Sequence, residues 1–209
     1  MTGVQTCALP IWARALADAV GAPIWAHRET ASRVDFAVDA LLDEGDVLAA
    51  GAHRLDVLHT PGHAPGHLCF VDGPTRSAIV GDMVAGVGTI LIEPGDGDMA
   101  EYLRQLARLE ALDLTALLPA HGPALADGPR TLRRYITHRL MREDRVLAAV
   151  RGGQTTVEGL VEVAYADAPP MTRMGPGGGL AGLSLRAHLE KLVAEGRVVH
   201  GPGGYTVAA

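Results

Sequence analysis

The sequence predicts a mixed α/β (α+β) protein, in which a sheet-and-helix domain is followed by a small domain of helices and one hairpin. Short apolar segments bounded by glycine and proline are typical of strands, and they lead into one long helical pattern at 128–150. Arg151-Gly-Gly-Gln154 interrupts that pattern, and a hairpin signal closes the chain at 197–207. We therefore predict domains at 13–150 and 152–209.

Composition narrows the class of protein. The 209 residues are 48% hydrophobic and 20% charged, as in ordinary globular proteins. The sequence contains no run near the ~20 apolar residues of a membrane span. With Cys7 and Cys69 the only cysteines, we expect no disulfide framework and a cytoplasmic protein. The net charge of -6 argues against nucleic-acid binding by electrostatics alone.

The elements of the first domain follow from local patterns. Apolar and polar residues alternate over 53–58, which predicts a strand. Asp98 and Glu101 form a capping-box pattern that opens a helix. The segment 84–93 is predicted to be a loop and then a short strand. The other predicted elements are a helix over 13–20 and strands over 23–26, 68–71, 77–80 and 114–118, with 77–80 returning antiparallel to 68–71.

The second domain has the order helix, helix, hairpin, which suggests a winged-helix-like module. Thr155 and Glu158 form a capping box for its first helix, 166–179 is predicted to be a linker, and 183–195 an amphipathic helix. From residue 152 onward, four basic residues face five acidic ones. That balance is poor for a DNA reader, so no DNA partner is expected.

The long helix is rich in arginine. Six arginines fall within it, and only Glu143 and Asp144 dilute them. A solvated helix face is the favoured interpretation, and a phosphate-binding surface is the alternative. The arginines are Arg130, Arg133, Arg134, Arg139, Arg142 and Arg145.

The segment with the clearest chemistry is His59-Thr-Pro-Gly-His63-Ala-Pro-Gly-His67, which places three histidines in nine residues between two predicted strands. Proline and glycine forbid a helix here and impose a compact turn. Imidazole is a common ligand of divalent transition metals. Asp82 and His121 each follow a predicted strand, where sites in sheet proteins are often built.

These motifs resemble those of the metallo-β-lactamase fold hydrolases, which include the glyoxalase II enzymes. Thr-Pro-Gly-His, Gly-Asp and Pro-Ala-His-Gly-Pro occur in the family's order and spacing, and the resemblance runs from about Ala13 to Val199. Tyr135-Ile-Thr-His-Arg139 and Ala187-His-Leu-Glu-Lys-Leu192 resemble the lactamase-like protein 2 group, which has endoribonuclease members. The resemblance implies the C-terminal half of an αββα sandwich followed by the winged-helix-like domain.

The resemblance also implies a binuclear zinc site. His63 would hold the first metal and His121 the second, while the catalytic carboxylate of Asp82 would bridge both. A metal-activated hydroxide would then attack an ester, thioester, amide or phosphodiester, and Mn²⁺ or Fe²⁺ could replace Zn²⁺. His67 could support the site by hydrogen bonding, and the Tyr-Ile-x-His-Arg pattern suggests that His138 faces the cleft.

One departure affects the expected activity. The family's His-x-His-x-Asp-His motif is missing, and residues 1–12 look like a non-native, adaptor-like segment. We therefore expect an N-terminally truncated hydrolase with an open apolar sheet face, weak zinc binding and little activity as written. A small acyl or thioester substrate is favoured, and single-stranded RNA is the alternative. The competing function is a non-catalytic scaffold or binding protein derived from this fold.

Overall fold

The computed structural model describes residues 9–208, and side chains from residue 13 onward. Residues 1–8 of the predicted non-native segment therefore lie outside the described residues, and 9–12 form the start of the first helix. The first elements are short and lie before the main sheet. They are α1 (Leu9–Val20), β1 (Trp25–Ala26), α2 (Arg28–Ala31) and β2 (Ala40–Leu41), with β1 and β2 paired in parallel.

Six strands form the main sheet, in the spatial order of the sequence. They are β3 (Val47–Ala50), β4 (His53–His59), β5 (Leu68–Asp72), β6 (Ser77–Gly81), β7 (Ala116–Pro119) and β8 (Leu125–Ala126). Neighbours are antiparallel except for β6 and β7, which are parallel. The predicted antiparallel return of β6 on β5 is confirmed. Because β6 and β7 run in the same direction, their carboxyl ends meet at one edge of the sheet.

Two helices cover one face of this sheet, α3 (Met99–Glu110) and α4 (Gly128–Arg151). Their buried faces and those of the strands form one apolar core. The side chain of Asp98 caps α3 by accepting a hydrogen bond from the Glu101 backbone N–H. On the other face of the sheet, Ile79 and Leu118 are paired across β6 and β7 and are 43% and 41% exposed. These two apolar side chains are therefore partly open to solvent on that face.

The C-terminal domain has a core of its own. It consists of α5 (Val157–Ala164), α6 (Pro170–Arg173), a 3₁₀ turn (Pro176–Gly178), α7 (Gly179–Ala194), β9 (Val198–Gly201) and β10 (Gly204–Val207). This order confirms the winged-helix-like prediction. Two local predictions are wrong. Thr156, not Thr155, caps α5 by accepting from the Gly159 N–H, and the predicted linker holds α6 and the start of α7.

Close backbone packing explains why the predicted linker is ordered. A Cβ added to Gly182 would lie 1.7 Å from the Gly177 carbonyl oxygen, so α7 begins with its backbone against the glycine run. Gly177 and Gly178 have φ of +64° and +80°, a region that glycine adopts without strain. The glycines are therefore part of the packed start of α7.

No helix in the described part of the chain is long and apolar enough to cross a membrane.

Candidate active site

Asp82 follows β6 at the sheet edge and is only 4% exposed. Gly81 before it has φ of +48°, in the left-handed region. A Cβ at this position would lie 2.6 Å from Nε2 of His67, closer than real Cβ contacts come. Glycine is therefore required for the chain to turn from the strand and place Asp82 beside the imidazole.

His67 fixes the backbone of Asp82. Its Nε2 accepts a hydrogen bond from the Asp82 backbone N–H at 3.0 Å, so its proton is on Nδ1, which donates to Oγ1 of Thr60 at 2.8 Å. Burial, helped by the nearby charges of His63 and His59, lowers the pKa of His67 to about 3 and keeps the ring neutral. His67 thus makes a hydrogen bond to the backbone of the predicted ligand Asp82.

His63 is oriented by the loop that follows Asp82. Its Nδ1–H donates to the Leu91 carbonyl at 2.9 Å, and its Nε2 faces Oδ2 of Asp82 at 3.5 Å. Its side chain is 10% exposed. A histidine with one nitrogen bound to a backbone carbonyl has its tautomer fixed, as metal-binding histidines do. Nε2 is thereby left with a lone pair directed toward the carboxylate.

His121 approaches the other oxygen of the same carboxylate. It follows β7 at the carboxyl edge, and its Nε2 lies 3.5 Å from Oδ1 of Asp82. Its backbone carbonyl accepts from the Gly86 N–H at 2.8 Å, which ties it to the loop after Asp82. The structure therefore brings together all three residues predicted from the motifs. Within residues 9–208, however, no three side chains of metal-binding types are grouped so that they could hold one ion.

Two tyrosines hold the backbone that follows Asp82. Tyr102 of α3 donates from its hydroxyl to the Met83 carbonyl at 2.7 Å. Tyr135 of α4 donates to the Ala85 carbonyl at 3.0 Å and accepts from the Ala85 N–H at 2.8 Å. Burial raises the pKa of Tyr102 to about 12, so its phenol remains a donor.

Arg139 holds the same loop farther along. This residue of α4 is 2% exposed; its guanidinium donates to the Ile90 carbonyl and, at 3.3 Å, to Oγ1 of Thr89. It also lies 5.4 Å from the centre of the Tyr102 ring. The short strand predicted at the end of 84–93 does not form, because the Ile90 carbonyl bonds to Arg139 and the Leu91 carbonyl to His63. We name residues 83–92 the site loop.

Tyr135 and Arg139, which hold the site loop, are the first and last residues of the sequence pattern Tyr135-Ile-Thr-His-Arg139. The histidine of that pattern does not contact the loop in this way. His138 is exposed and lies among Arg130, Arg134, Thr137 and Met141, so the expectation that it faces the cleft is wrong. Tyr135 and Arg139 are four residues apart and so share one face of the helix. That spacing is the signal that could have identified them.

The remaining histidines of the turn have other contacts. His59 bonds through Nε2 to the Pro65 carbonyl at 2.7 Å and stacks on His27 with ring centres 4.1 Å apart. An open depression of about 660 Å³ lies beside this pair and is lined partly by Glu44, Asp98 and Arg108. His63, Asp82 and His121 do not line it. The three predicted metal ligands therefore lie outside this depression.

Family comparisons identify both domains of the chain. The model of the Metallo-beta-lactamase superfamily matches residues 3–121, more than half of the chain. The chain belongs to the metallo-beta-lactamase superfamily. The model of the Beta-lactamase associated winged helix domain matches residues 156–204, in agreement with the observed C-terminal fold.

Individual relatives support the same assignment. An atrochrysone carboxyl ACP thioesterase of Aspergillus chevalieri is 31% identical over 134 residues, covering 60% of this chain and 42% of the relative. A Beta-lactamase-like protein 2 homolog of Caenorhabditis elegans is 29% identical over 163 residues, covering 77% and 52%. The chain thus spans about half the length of these curated relatives.

A solved structure shares the fold across nearly the whole chain. A metallo-beta-lactamase family protein from Thermus thermophilus superposes with a TM-score of 0.69 at 24% identity. The match covers 97% of this chain and 66% of that one. It shows that the sheet domain and the C-terminal domain occur together in one known architecture.

Proposed function

We propose that His63, Asp82 and His121 belong to a binuclear metal site that hydrolyses thioesters of small acyl groups. The observation that carries this proposal is the position of Asp82, because each oxygen of its carboxylate faces the Nε2 of a different histidine at 3.5 Å. A carboxylate shared in this way suits a bridge between two cations. Superfamily membership adds support, since its members are generally metal-dependent hydrolases.

The donors fit such a group in type but not in number. The tautomer of His63, with Nδ1–H on the Leu91 carbonyl, leaves Nε2 as a ligand atom. Each metal would receive one imidazole and one carboxylate oxygen from the described residues, fewer than the four ligands of a closed zinc site. When bound, zinc, manganese or iron would activate water and stabilise the developing oxyanion. We therefore expect the 209-residue chain to bind metal weakly and to show little activity.

A thioester substrate is supported by one class of relative. Some curated relatives carry the name thioesterase, and the overall negative charge is unfavourable for a long phosphodiester polymer. The Leu91 carbonyl would fix the ring of His63, and His67 would fix the backbone of Asp82. These contacts would hold the ligand atoms of both residues in place beside the thioester carbonyl.

Metal titration tests the proposed ligands. Mn²⁺ added to the isotope-labelled chain should broaden resonances of His63, Asp82 and His121 first, and His63→Ala, Asp82→Asn or His121→Ala should each weaken that effect about 10-fold or more. His200→Ala is the matched control, because His200 lies in the distant hairpin and stacks on Tyr205. Broadening centred elsewhere, or unaltered in the three variants, would overturn the proposed site.

Substrate class is tested separately. Protein saturated with metal should hydrolyse acyl thioesters slowly but faster than the metal-free chain, and His63→Ala and His121→Ala should remove that residual activity while His200→Ala retains it. Preference for an RNA substrate, with affinity falling steeply as salt increases, would contradict the thioesterase proposal and favour the ribonuclease alternative.

A further inference from the structure

A buried ionic cluster joins the two domains away from the candidate site. Glu143 of α4 is 3% exposed, and its Oε1 accepts from Nζ of Lys191 at 2.8 Å and from Nη1 of Arg197 at 3.1 Å. Nδ1 of His188 lies 3.5 Å from Oε2, and His188 is fully buried. All three neighbours come from the C-terminal domain. We name these four residues the Glu143 cluster.

The position of the cluster along α4 relates it to the site. Arg139 and Glu143 are one helical turn apart, both are buried, and their charges are opposite. Arg139 donates to the Ile90 carbonyl, and the next carbonyl, that of Leu91, holds Nδ1 of His63. The backbone of α4 therefore links the Glu143 cluster to Arg139, and Arg139 holds the part of the site loop that orients the proposed ligand.

Buried charge explains why the two residues should depend on each other. An unpaired buried carboxylate raises the free energy of the folded state. A cation that moves close to it lowers that free energy again. If Lys191 and Arg197 were removed, Arg139 would be the guanidinium one turn away on the same helix. Turning toward Glu143 would take Arg139 from the Ile90 carbonyl and release the site loop.

We propose that the Glu143 cluster is a positioning device, in which Lys191 and Arg197 hold the Glu143 carboxylate so that Arg139 stays on the site loop and keeps His63 aligned. The consequence for catalysis rests on the proposed function, but the coupling between the cluster and the loop does not. The winged-helix-like domain would then act on the site through α4 without contacting substrate.

The test uses the full 209-residue chain without metal. The double variant Lys191→Met, Arg197→Met should raise the hydrogen-exchange rate of the Ala85 and Gly86 amides by roughly 10-fold. Both amides belong to the site loop and are bonded to groups outside it, Ala85 to the Tyr135 hydroxyl and Gly86 to the His121 carbonyl, so release of the loop exposes them. The ¹⁵N signals of the His63 ring should also show loss of the Nδ1–H form. Adding Glu143→Gln to the double variant should restore both readouts, because no buried anion remains to draw Arg139 away.

Rescue by Glu143→Gln distinguishes loss of positioning from general destabilisation of the fold, because a further substitution would not reverse general destabilisation. Asp167→Asn is the matched control: it breaks the ion pairs of Arg142 and Arg145 on α4 and should leave the two amides and His63 unchanged. If the double variant does not fold, Arg197→Met alone, with and without Glu143→Gln, gives the same comparison at smaller amplitude. Unchanged exchange in the double variant, or no rescue by Glu143→Gln, would overturn the proposal. A failure of Mn²⁺ binding with intact rescue would reject only the proposed function.

Discussion

Asp82 and Glu143 are two buried carboxylates, 4% and 3% exposed, in different surroundings. Glu143 lies in the middle of a helix and accepts hydrogen bonds from Lys191 and Arg197, which are permanent cations. Asp82 lies at the end of a strand, and each of its oxygens faces the nitrogen of an imidazole at 3.5 Å. The comparison indicates that Glu143 joins two domains, whereas Asp82 is placed among groups that suit metal binding.

The largest expected difference is in stability. Glu143→Ala should lower the free energy of unfolding by about 3–5 kcal/mol, because it leaves Lys191 and the buried His188 without the carboxylate. Asp82→Ala should cost less than half as much in the metal-free chain, since its backbone N–H remains bonded to His67. Urea denaturation of both variants measures this. Equal losses would contradict the distinction between the two carboxylates.

The contribution of Glu143 to stability should also depend on pH. Burial alone would raise the pKa of Glu143, but His188 and Lys191 outweigh it and lower the pKa to about 2 from an ordinary value of 4.5. Its contribution is therefore present above about pH 4.5 and is lost as the pH falls toward 2, by about 3 kcal/mol in all. Denaturation between about pH 5 and pH 2 should show this slope in the parent chain.

Glu143→Gln is the control for that slope, because glutamine keeps the shape and cannot titrate. Its stability should fall less steeply over the same pH range. Parallel curves for the parent and Glu143→Gln would show that other carboxylates account for the acid sensitivity.

The ligand-type residues of the site could be predicted because they sit in short motifs at the ends of strands. His63, Asp82 and His121 each follow a strand signal, and parallel pairing of β6 and β7 brings the last two to one edge. The residues that orient them could not be identified so directly. Tyr135 and Arg139 act on backbone groups about 50 positions away in sequence.

The C-terminal domain shows the same limit for backbone packing. Its order of helices and hairpin follows from periodicity and turn residues, but its glycine run has the composition of a linker. The contact of Gly182 with the Gly177 carbonyl depends on how two segments pack, which local composition does not encode. Likewise, the Glu143 cluster depends on how α4 and α7 pack and on where the chain places Arg197, just before β9.

A substitution at Gly81 tests how strictly the site backbone is set. Gly81→Ala should cost about 1–3 kcal/mol, because alanine is strained at φ of +48° and its Cβ would meet His67. It should also move Asp82 and weaken Mn²⁺ binding. Gly73→Ala is the control, since no atom lies within 4 Å of a Cβ there. Equal stability of the two variants would show that the turn adapts.

The smallest effect is expected at Asp167, which also forms ion pairs between the C-terminal domain and α4. Its side chain is 48% exposed and lies 2.7 Å from Arg142 and 2.6 Å from Arg145. Asp167→Asn should cost less than about 1 kcal/mol, and less still in high salt, because water and ions screen an exposed pair. Arg142 keeps its bond to the Ala164 carbonyl and its place 4.3 Å from the Tyr165 ring. Urea denaturation measures the loss of unfolding free energy in Asp167→Asn and in Glu143→Ala. Equal losses would contradict the view that burial makes the Glu143 cluster the stronger connection between the domains.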